Sequence, residues 1–288
     1  MPTLANLIER VRVLAGDRPI PDTLNGALTS GQTPITLTSG TKVSPDTLVS
    51  IDLETLYVQA KPSTVSATVL RGWDGTTAAA HSSGAVVYVA PRFTHDHYRR
   101  AINKALGAIS SAFGKRTWDA SQSFGTSNRI LNAPAGTIRV FDVKYLDTGS
   151  DFPKDVPFRY ERSLPTAMAA DGSGIVLTSW NPGAGVAYIG YESRWTELTA
   201  LSGAGGTLDA DFPAESEDLI ELGAWAYLMD AQSFERVAYH APHTLTRDQA
   251  RTLGESRMGS QQAIQRFLTR RTECAARHRT VRLGWVKM

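Results

Sequence analysis

Apolar residues recur at helical spacing near the N-terminus and again after residue 94. The first set shares one helix face and consists of Leu4, Leu7, Ile8, Val11 and Leu14. Thr3 can cap this predicted helix, which covers residues 3–15, and Gly16 can end it. A second amphipathic helix is predicted over 95–113. Its apolar face consists of Tyr98, Ala101, Ile102, Ala105, Leu106, Ile109 and Phe113.

Two more helices are predicted in the last third of the chain. One runs from Pro213 to about Phe234, and acidic residues fill its first turns, where the helix dipole favours negative charge. The other covers about 246–276, where Thr246 and Gln249 have the spacing of a capping box. Its apolar stripe is thin and arginines crowd its other faces. A helix this polar is expected to be stabilised by a neighbouring subunit.

Short runs with strand character separate these helices. The first group of predicted strands lies at about 34–38, 47–52, 54–60, 64–70 and 85–89. The second group lies at about 136–146, 158–162, 174–179 and 185–195. Residues 17–32 are rich in turn formers and are expected to be irregular. Short strands bounded by turn signals are typical of a small barrel or sandwich, so each group predicts a β module.

The element order therefore predicts an α+β fold, a small helical bundle with two inserted β-rich modules. The expected parts are a helical core from 1–20, 91–125 and 210–276, a small β-barrel-like module at 21–90, a second β domain at 126–202 and an extended C-terminal tail at 277–288. The tail is short of core residues, and we expect it to become ordered only against a partner.

Composition narrows the class of protein only modestly. The 288 residues, 42% of them hydrophobic, are enough for a sizeable core. No apolar run approaches the ~18 residues of a membrane span, and charges interrupt the first apolar stretch, so no signal peptide and no membrane contact are expected. The single cysteine, Cys274, excludes an intramolecular disulfide and suits a reducing cytoplasm.

Charge is unevenly distributed. Residues 235–288 hold 11 Lys or Arg against 4 Asp or Glu, a net +7, which leaves −5 for the rest of a chain whose total is +2. Such a basic end can be a solvated helix face, can contact an acidic protein or can contact DNA. The residues predicted to form an interface there are Arg266, Arg270, Arg271, Arg277, Arg279, Arg282 and Trp285.

One stretch of the sequence indicates the class of protein more specifically than any other. Residues 71–87 read RGWDGTTAAAHSSGAVV, in which Asp74-Gly75 is a turn dipeptide and Gly84 releases a second strand. His81 is expected to tie this excursion back to the barrel by a hydrogen bond. The run matches the pattern RGxxGTxxxxHxxGxxV through Arg71, Gly72, Gly75, Thr76, His81, Gly84 and Val87, and with the turn residue Asp74 these form the predicted structural motif.

This pattern, within residues 22–90, resembles a small β module of virion proteins from tailed bacteriophages. Together with the element order, it resembles head-to-tail adaptor (connector) proteins. The resemblance implies a structural subunit without catalysis or cofactor, assembled in the bacterial cytoplasm into a ring in the neck of the particle. A ring of twelve copies, a portal partner above, a tail or next neck protein below and a DNA channel are what that family implies.

Two other classes of function stay open. A tail-associated protein that binds carbohydrate or a receptor would use aromatic residues of the second β domain, and Trp73, Trp180 and Trp195 lie in or beside β segments. Packing in the core or against a subunit is the alternative for these rings. An enzyme is the weakest candidate, since no G-x-S-x-G elbow or phosphate-binding loop is present.

Several residues of reactive type have simpler explanations. His95 and His97 would point about 200° apart on a helix, so they are interpreted as polar residues at a helix start rather than metal ligands. His240 and His243 flank a proline turn and are interpreted as loop residues, and 203–206 as a flexible glycine-rich linker. Cys274 is expected to be structural. Asp52 and Glu54 would share one strand face and are interpreted as barrel-rim carboxylates.

Overall fold

The computed structural model describes residues 1–124, 129–147, 149, 153–169, 172–178, 185–239 and 247–280, without the side chains of 231–239, 247–258 and 279–280. The chain divides into two compact units. Unit 1 contains residues 1–106 and 196–274, and unit 2 contains 107–195 together with the part of the chain that begins at residue 275. Each unit is described below by itself.

Four α-helices lie in the described part of the chain: α1 (Leu4–Ala15), α2 (His95–Ala112), α3 (Glu217–Tyr239) and α4 (Arg247–Thr280). The sequence predictions for all four are confirmed. The Thr3 side chain accepts a hydrogen bond from the Asn6 amide, and Gly16 ends α1 in the left-handed conformation, with φ 63°. None of these helices is long and apolar enough to cross a membrane.

A curled antiparallel sheet dominates unit 1. Its strands are β1 (Ile20–Thr23), β2 (Pro34–Thr36), β3 (Leu48–Ile51), β4 (Glu54–Ala60), β5 (Ser66–Leu70) and β6 (Val86–Val89), in the spatial order β1-β6-β3-β4-β5-β2. The two edge strands meet at one end, where the Thr38 amide donates to the Thr23 carbonyl at 2.9 Å. Buried aliphatic side chains from every strand except β1 fill the inside of this half-barrel.

The helices of unit 1 form the second part of its core. α1 packs against α3 and buries Leu4, Leu7 and Ile8. At Gly223 in α3, an added Cβ would lie 2.8 Å from both the Ala105 Cβ and the Phe267 ring, so the absence of a side chain lets three helices approach closely.

Unit 2 contains two further antiparallel sheets. Its strands are β7 (Lys115–Phe124), β8 (Ile130–Asn132), β9 (Thr137–Asp147), β10 (Lys154–Asp155), β11 (Phe158–Glu161), β12 (Gly174–Leu177) and β13 (Gly185–Ser193). The spatial orders are β10-β9-β13-β7 and β11-β12-β8. Val143, Ile175 and Ile189 belong to the hydrophobic core that the two sheets share.

The predicted fold class, a small helical bundle with two β insertions, is wrong. Thirteen strands in three sheets, against four α-helices, define the architecture of the described residues, and the sheets have hydrophobic cores of their own. β7 occupies 115–124, all of which was predicted to belong to the helical core. α4 continues to Thr280, so an extended tail does not begin at residue 277.

Candidate functional site around Glu54 and His81

The phage-like motif forms a tight loop that leaves β5 and returns to β6. Gly72 and Gly75 adopt positive φ values of 62° and 74°, and Asp74 between them has φ 56°. A Cβ on Gly72 would lie 2.9 Å from the Thr76 carbonyl oxygen, so this position requires glycine. These turns bring the side chains of Arg71 and His81 back onto the start of β4.

Glu54 is the centre of the loop's polar contacts. Its side chain is 1% exposed, and its carboxylate accepts hydrogen bonds from Arg71 Nε (2.7 Å) and Nη2 (2.8 Å). The amides of Gly72 and Ala79 donate to the same carboxylate, each at 3.0 Å. Burial by itself would raise the pKa of Glu54, but the hydrogen bonds from Arg71 and His81 outweigh it and lower that pKa to about 2.

His81 lies between two carboxylates. Its Nδ1 is 2.8 Å from Asp52 Oδ2 and its Nε2 is 2.8 Å from Glu54 Oε2. Hydrogen bonds to Asp52 and Glu54 raise the pKa of His81 to about 9, so both nitrogens carry protons and donate at neutral pH. The His81 backbone also pairs with Leu28, with its amide 2.8 Å from the Leu28 carbonyl oxygen. The prediction that His81 ties the loop to the barrel is confirmed.

Arg71 joins the loop to a further segment. Nη1 donates to the carbonyl oxygens of Thr29 (2.6 Å) and Gln32 (2.9 Å), and Nη2 donates to that of Ala79 (2.5 Å). Every guanidinium nitrogen therefore has a partner inside the module, including the bidentate contact with Glu54. Arg71 thus holds together three parts of the chain, which are Glu54 at the start of β4, residues 29–32 and the loop at Ala79.

The other motif positions also hold the loop in place. The Thr55 amide donates to Thr76 Oγ1 at 3.1 Å, and the Gly84 amide donates to the Leu24 carbonyl at 2.8 Å. Asp74 Oδ2 is 2.7 Å from His97 Nε2 at the start of α2. Val87 is completely buried in the half-barrel. All eight motif residues thus contribute to the conformation of one module.

Asp52 connects this cluster to α2. It occupies the turn between β3 and β4 with φ 50°, a region that few non-glycine residues adopt. Its side chain accepts from His81, and its backbone carbonyl is 2.7 Å from His95 Nδ1. The hydrogen bond from His81 lowers the pKa of Asp52. Asp52 and Glu54 therefore converge on one imidazolium, and both carboxyls are ionised at neutral pH.

A cleft of about 560 Å³ lies beside the cluster within unit 1. Thr76, Asp96, Arg99 and Ser202 are among the residues that line it. Residues 203–206, interpreted from sequence as a flexible linker, form an ordered turn in which the Gly206 carbonyl accepts from the Leu4 amide at 2.8 Å. This contact satisfies a free amide at the N-terminus of α1.

The histidines at the start of α2 have separate partners. His95 contacts the Asp52 carbonyl and His97 contacts the Asp74 carboxylate, so the two rings have different hydrogen-bond partners. Within the described residues, no group of three or more His, Cys, Asp or Glu side chains is arranged to hold a metal ion. His240 and His243 lie outside the described residues.

The predicted interface residues of the C-terminal helix have different environments. Arg266 and Arg277 are exposed on α4. Arg270 pairs with Asp218 of α3 at 2.9 Å, and the Arg271 guanidinium lies 5.9 Å from the centre of the Phe267 ring. The Arg279 side chain lies outside the described set, as do Arg282 and Trp285.

Two features of the site have no clear sequence signal. Glu54 and Arg71 are 17 positions apart in the sequence, and the local sequence pattern does not predict that either residue is buried. Arg12 is also buried, and its guanidinium lies 4.4 Å above the Tyr88 ring although the helical pattern of α1 suggests a solvent-facing cation. The motif contains Arg71 but neither Glu54 nor Arg12, so it did not indicate these two contacts.

The charged cluster predicts a distinct pH profile of stability. The pKa of His81 is about 9 in the folded protein, against an ordinary value of 6.5 that applies to the unfolded chain. The protonated ring therefore stabilises the folded state fully below pH 6.5, and this stabilisation is lost as the pH rises through 9. Unfolding in urea at pH 6 and pH 9.5 should differ by about 2 kcal/mol after allowance for solvent screening. His81→Gln should remove most of this difference, whereas the matched control His97→Gln should retain it. An unchanged difference in His81→Gln would contradict the assignment.

The geometry defines what the cluster does chemically. His81 donates through both nitrogens and is not available as a general base, and Glu54 with a pKa near 2 is a poor proton donor at neutral pH. The ionisable groups of the motif act as internal braces. No protein-family model matches the chain, and a search of curated proteins finds no significant match.

Proposed function

We propose that this protein is a structural virion subunit of a tailed phage, a head-to-tail adaptor that forms a ring between the portal and the tail. The observation that carries the proposal is the role that the motif residues have in the structure. Its charged and glycine residues brace a β module that lies between α1 and α2 in the chain, as expected for a scaffold module. The resemblance to phage virion proteins supplies the biological setting.

α4 supports an assembly role. Among its described side chains, at 259–278, the buried positions are Ser260, Ala263, Phe267, Cys274 and Ala275, while Arg266 and Arg277 are exposed. A long helix with one narrow buried stripe leaves a basic face for an acidic partner, for which the portal is our candidate. DNA passing through a ring would be a second anionic neighbour.

The structure of the phage neck tests the proposal most directly. A cryo-electron microscopy map of the intact particle should contain a ring of density between portal and tail into which this chain fits in several symmetric copies. A map in which the chain fits only a peripheral fibre, or in which no density accommodates it, would refute the adaptor assignment.

The exposed arginines give a prediction about attachment. Arg266→Glu should leave the free energy of unfolding within about 0.5 kcal/mol, because the side chain is exposed. It should weaken binding to DNA-filled phage heads by about 1 kcal/mol per subunit, and the losses of the individual subunits add up in a ring. Sedimentation of heads mixed with the purified protein measures binding. Gln265→Glu adds an acidic residue at the adjacent exposed position without removing a cation, and it should bind nearly normally. Equal binding by both variants would contradict the prediction.

The carbohydrate-binding alternative has one observation in its favour. Trp118 in β7 is 48% exposed and packs edge-on against Phe141 of β9, with ring centres 5.6 Å apart. Phe141, Phe158, Tyr160, Tyr188 and Tyr191 of this unit are partly exposed, whereas Phe113, Phe124, Tyr145 and Trp195 are buried. Burial of these rings favours packing over an open sugar groove, and therefore favours the scaffold proposal.

A further inference from the structure

An exposed Asn-Gly dipeptide follows the first strand of the half-barrel. Asn25 and Gly26 lie in the bend after β1, and Asn25 is the only asparagine in the sequence that precedes a glycine. The backbone nitrogen of the residue after an asparagine can attack the side-chain amide carbon and close a five-membered succinimide ring. Glycine favours this attack, because it has no side chain to hinder the approach of its nitrogen. The dipeptide is therefore a candidate for a spontaneous modification of the folded protein.

The bend leaves both reacting groups of the dipeptide accessible. Asn25 is exposed, and its side-chain amide has no hydrogen-bond partner among the described residues. A Cβ added at Gly26 would have no atom within 4 Å, so the space beside the attacking residue is open. The Gly26 amide donates one hydrogen bond, of 3.2 Å, to the hydroxyl of Ser83, which is itself exposed. Water can replace this exposed partner, so the bond restrains the Gly26 nitrogen only weakly.

Comparable side chains elsewhere in unit 1 are held in place by hydrogen bonds. The side-chain amide of Asn103 donates to the Leu198 carbonyl and accepts from the Leu198 amide, each at 2.9 Å. Asp74 precedes Gly75 and could close the same ring, but its carboxylate is 2.7 Å from His97 Nε2. Neither side chain can turn towards the following backbone nitrogen without losing these contacts. Both positions are therefore expected to react more slowly than the open bend.

We propose that the folded protein deamidates at Asn25 through a succinimide, which yields aspartate and isoaspartate at this position. The Gly26 nitrogen forms a bond to the side-chain carbonyl carbon of Asn25, and the bond from that carbon to the amide nitrogen breaks. The amide nitrogen leaves as ammonia and takes with it the proton of the Gly26 N–H. Water then adds to one of the two ring carbonyls and reopens the ring. The reaction consumes only water and needs no oxidant or reductant.

The modified position lies where the two edges of the half-barrel meet. Leu24 forms a bridge with Leu37, and the Asn25 amide donates to the Thr36 carbonyl at 2.8 Å. Isoaspartate inserts one methylene into the backbone between this amide and the Gly26 amide. The two amides then no longer have the spacing that places one on Thr36 and the other on Ser83. The isoaspartate form should therefore hold the edge strands together less firmly, which makes this bend a site of slow chemical ageing.

Incubation of the folded full-length protein at mildly alkaline pH tests the proposal. Alkali promotes loss of the Gly26 amide proton, so the reaction should accelerate as the pH rises. Peptide mapping by mass spectrometry should show two products at position 25, each with the mass of aspartate, and an isoaspartyl methyltransferase should label one of them. A free peptide of residues 22–29 gives the unrestrained rate. The folded protein should react at most about tenfold more slowly than this peptide, because little restrains the bend.

Two controls separate this reaction from general degradation. Asn25→Gln keeps an exposed amide but would require a six-membered ring, so both products should be lost while circular dichroism shows an unchanged fold. The peptide that contains Asn103 should stay unmodified over the same period, because its side chain is hydrogen-bonded. An intact Asn25 in folded protein under conditions in which the free peptide reacts would overturn the proposal. Equal modification at Asn103 and Asn25 would also overturn it, because the fold would then have no part in selecting the site.

Discussion

Replacing Glu54 by glutamine should destabilise the protein by about 3–5 kcal/mol. The substitution keeps the shape of the side chain but removes the negative charge that Arg71 and His81 share, and it leaves the Arg71 guanidinium buried without its counter-ion. The amides of Gly72 and Ala79 would also lose a charged acceptor. Urea unfolding followed by circular dichroism gives the free energy of unfolding.

The chain offers a matched control for this experiment. Glu217 pairs with Arg10 at 3.1 Å, but the Arg10 side chain is about half exposed. Glu217→Gln should therefore cost less than about 1 kcal/mol. If Glu54→Gln is not recovered folded, Arg71→Lys is the milder substitution, which retains the charge but loses the bidentate contact. A cost for Glu54→Gln or Arg71→Lys no larger than that of Glu217→Gln would show that the buried cluster does not stabilise the module.

The parts of the fold that follow from local pattern were predictable from the sequence. α1 needs only its apolar stripe, a threonine cap and a terminal glycine, and all three are local features. The strands β3 to β6 were predicted because they carry buried aliphatic residues between turn signals. The motif loop was also predicted, because its glycines mark positions where the backbone turns.

Strands that depend on distant partners were not predictable in the same way. β7 has one fully buried residue, Phe124, and its strand conformation comes from pairing with β13 about 70 positions later. β1 contains a proline and exposed positions, and it is a strand because it pairs with β6. Neither segment has hydrophobic periodicity, so its conformation is specified by tertiary contacts.

The candidate site shows the same division. The motif indicated which residues belong together, but not that Glu54 is their common acceptor, because a glutamate at the start of a strand is usually exposed. The hydrogen bond from His95 Nδ1 to the Asp52 carbonyl was missed as well, because a backbone acceptor leaves no trace in a pattern of side chains.

Replacing Phe267 by alanine should have the second large effect, about 3–5 kcal/mol. Phe267 is 1% exposed, its ring is 6.1 Å from that of Tyr227, and it packs against Gly223 of α3. α4 has few other buried residues in its described part, so loss of this ring should loosen the helix before the half-barrel unfolds. Hydrogen exchange should show faster exchange in 259–274, and Leu268→Ala, at a partly exposed neighbouring position, should show a smaller change. Uniform destabilisation of both the helix and the half-barrel would contradict this prediction, because it would mean that α4 and the sheet unfold as one cooperative unit.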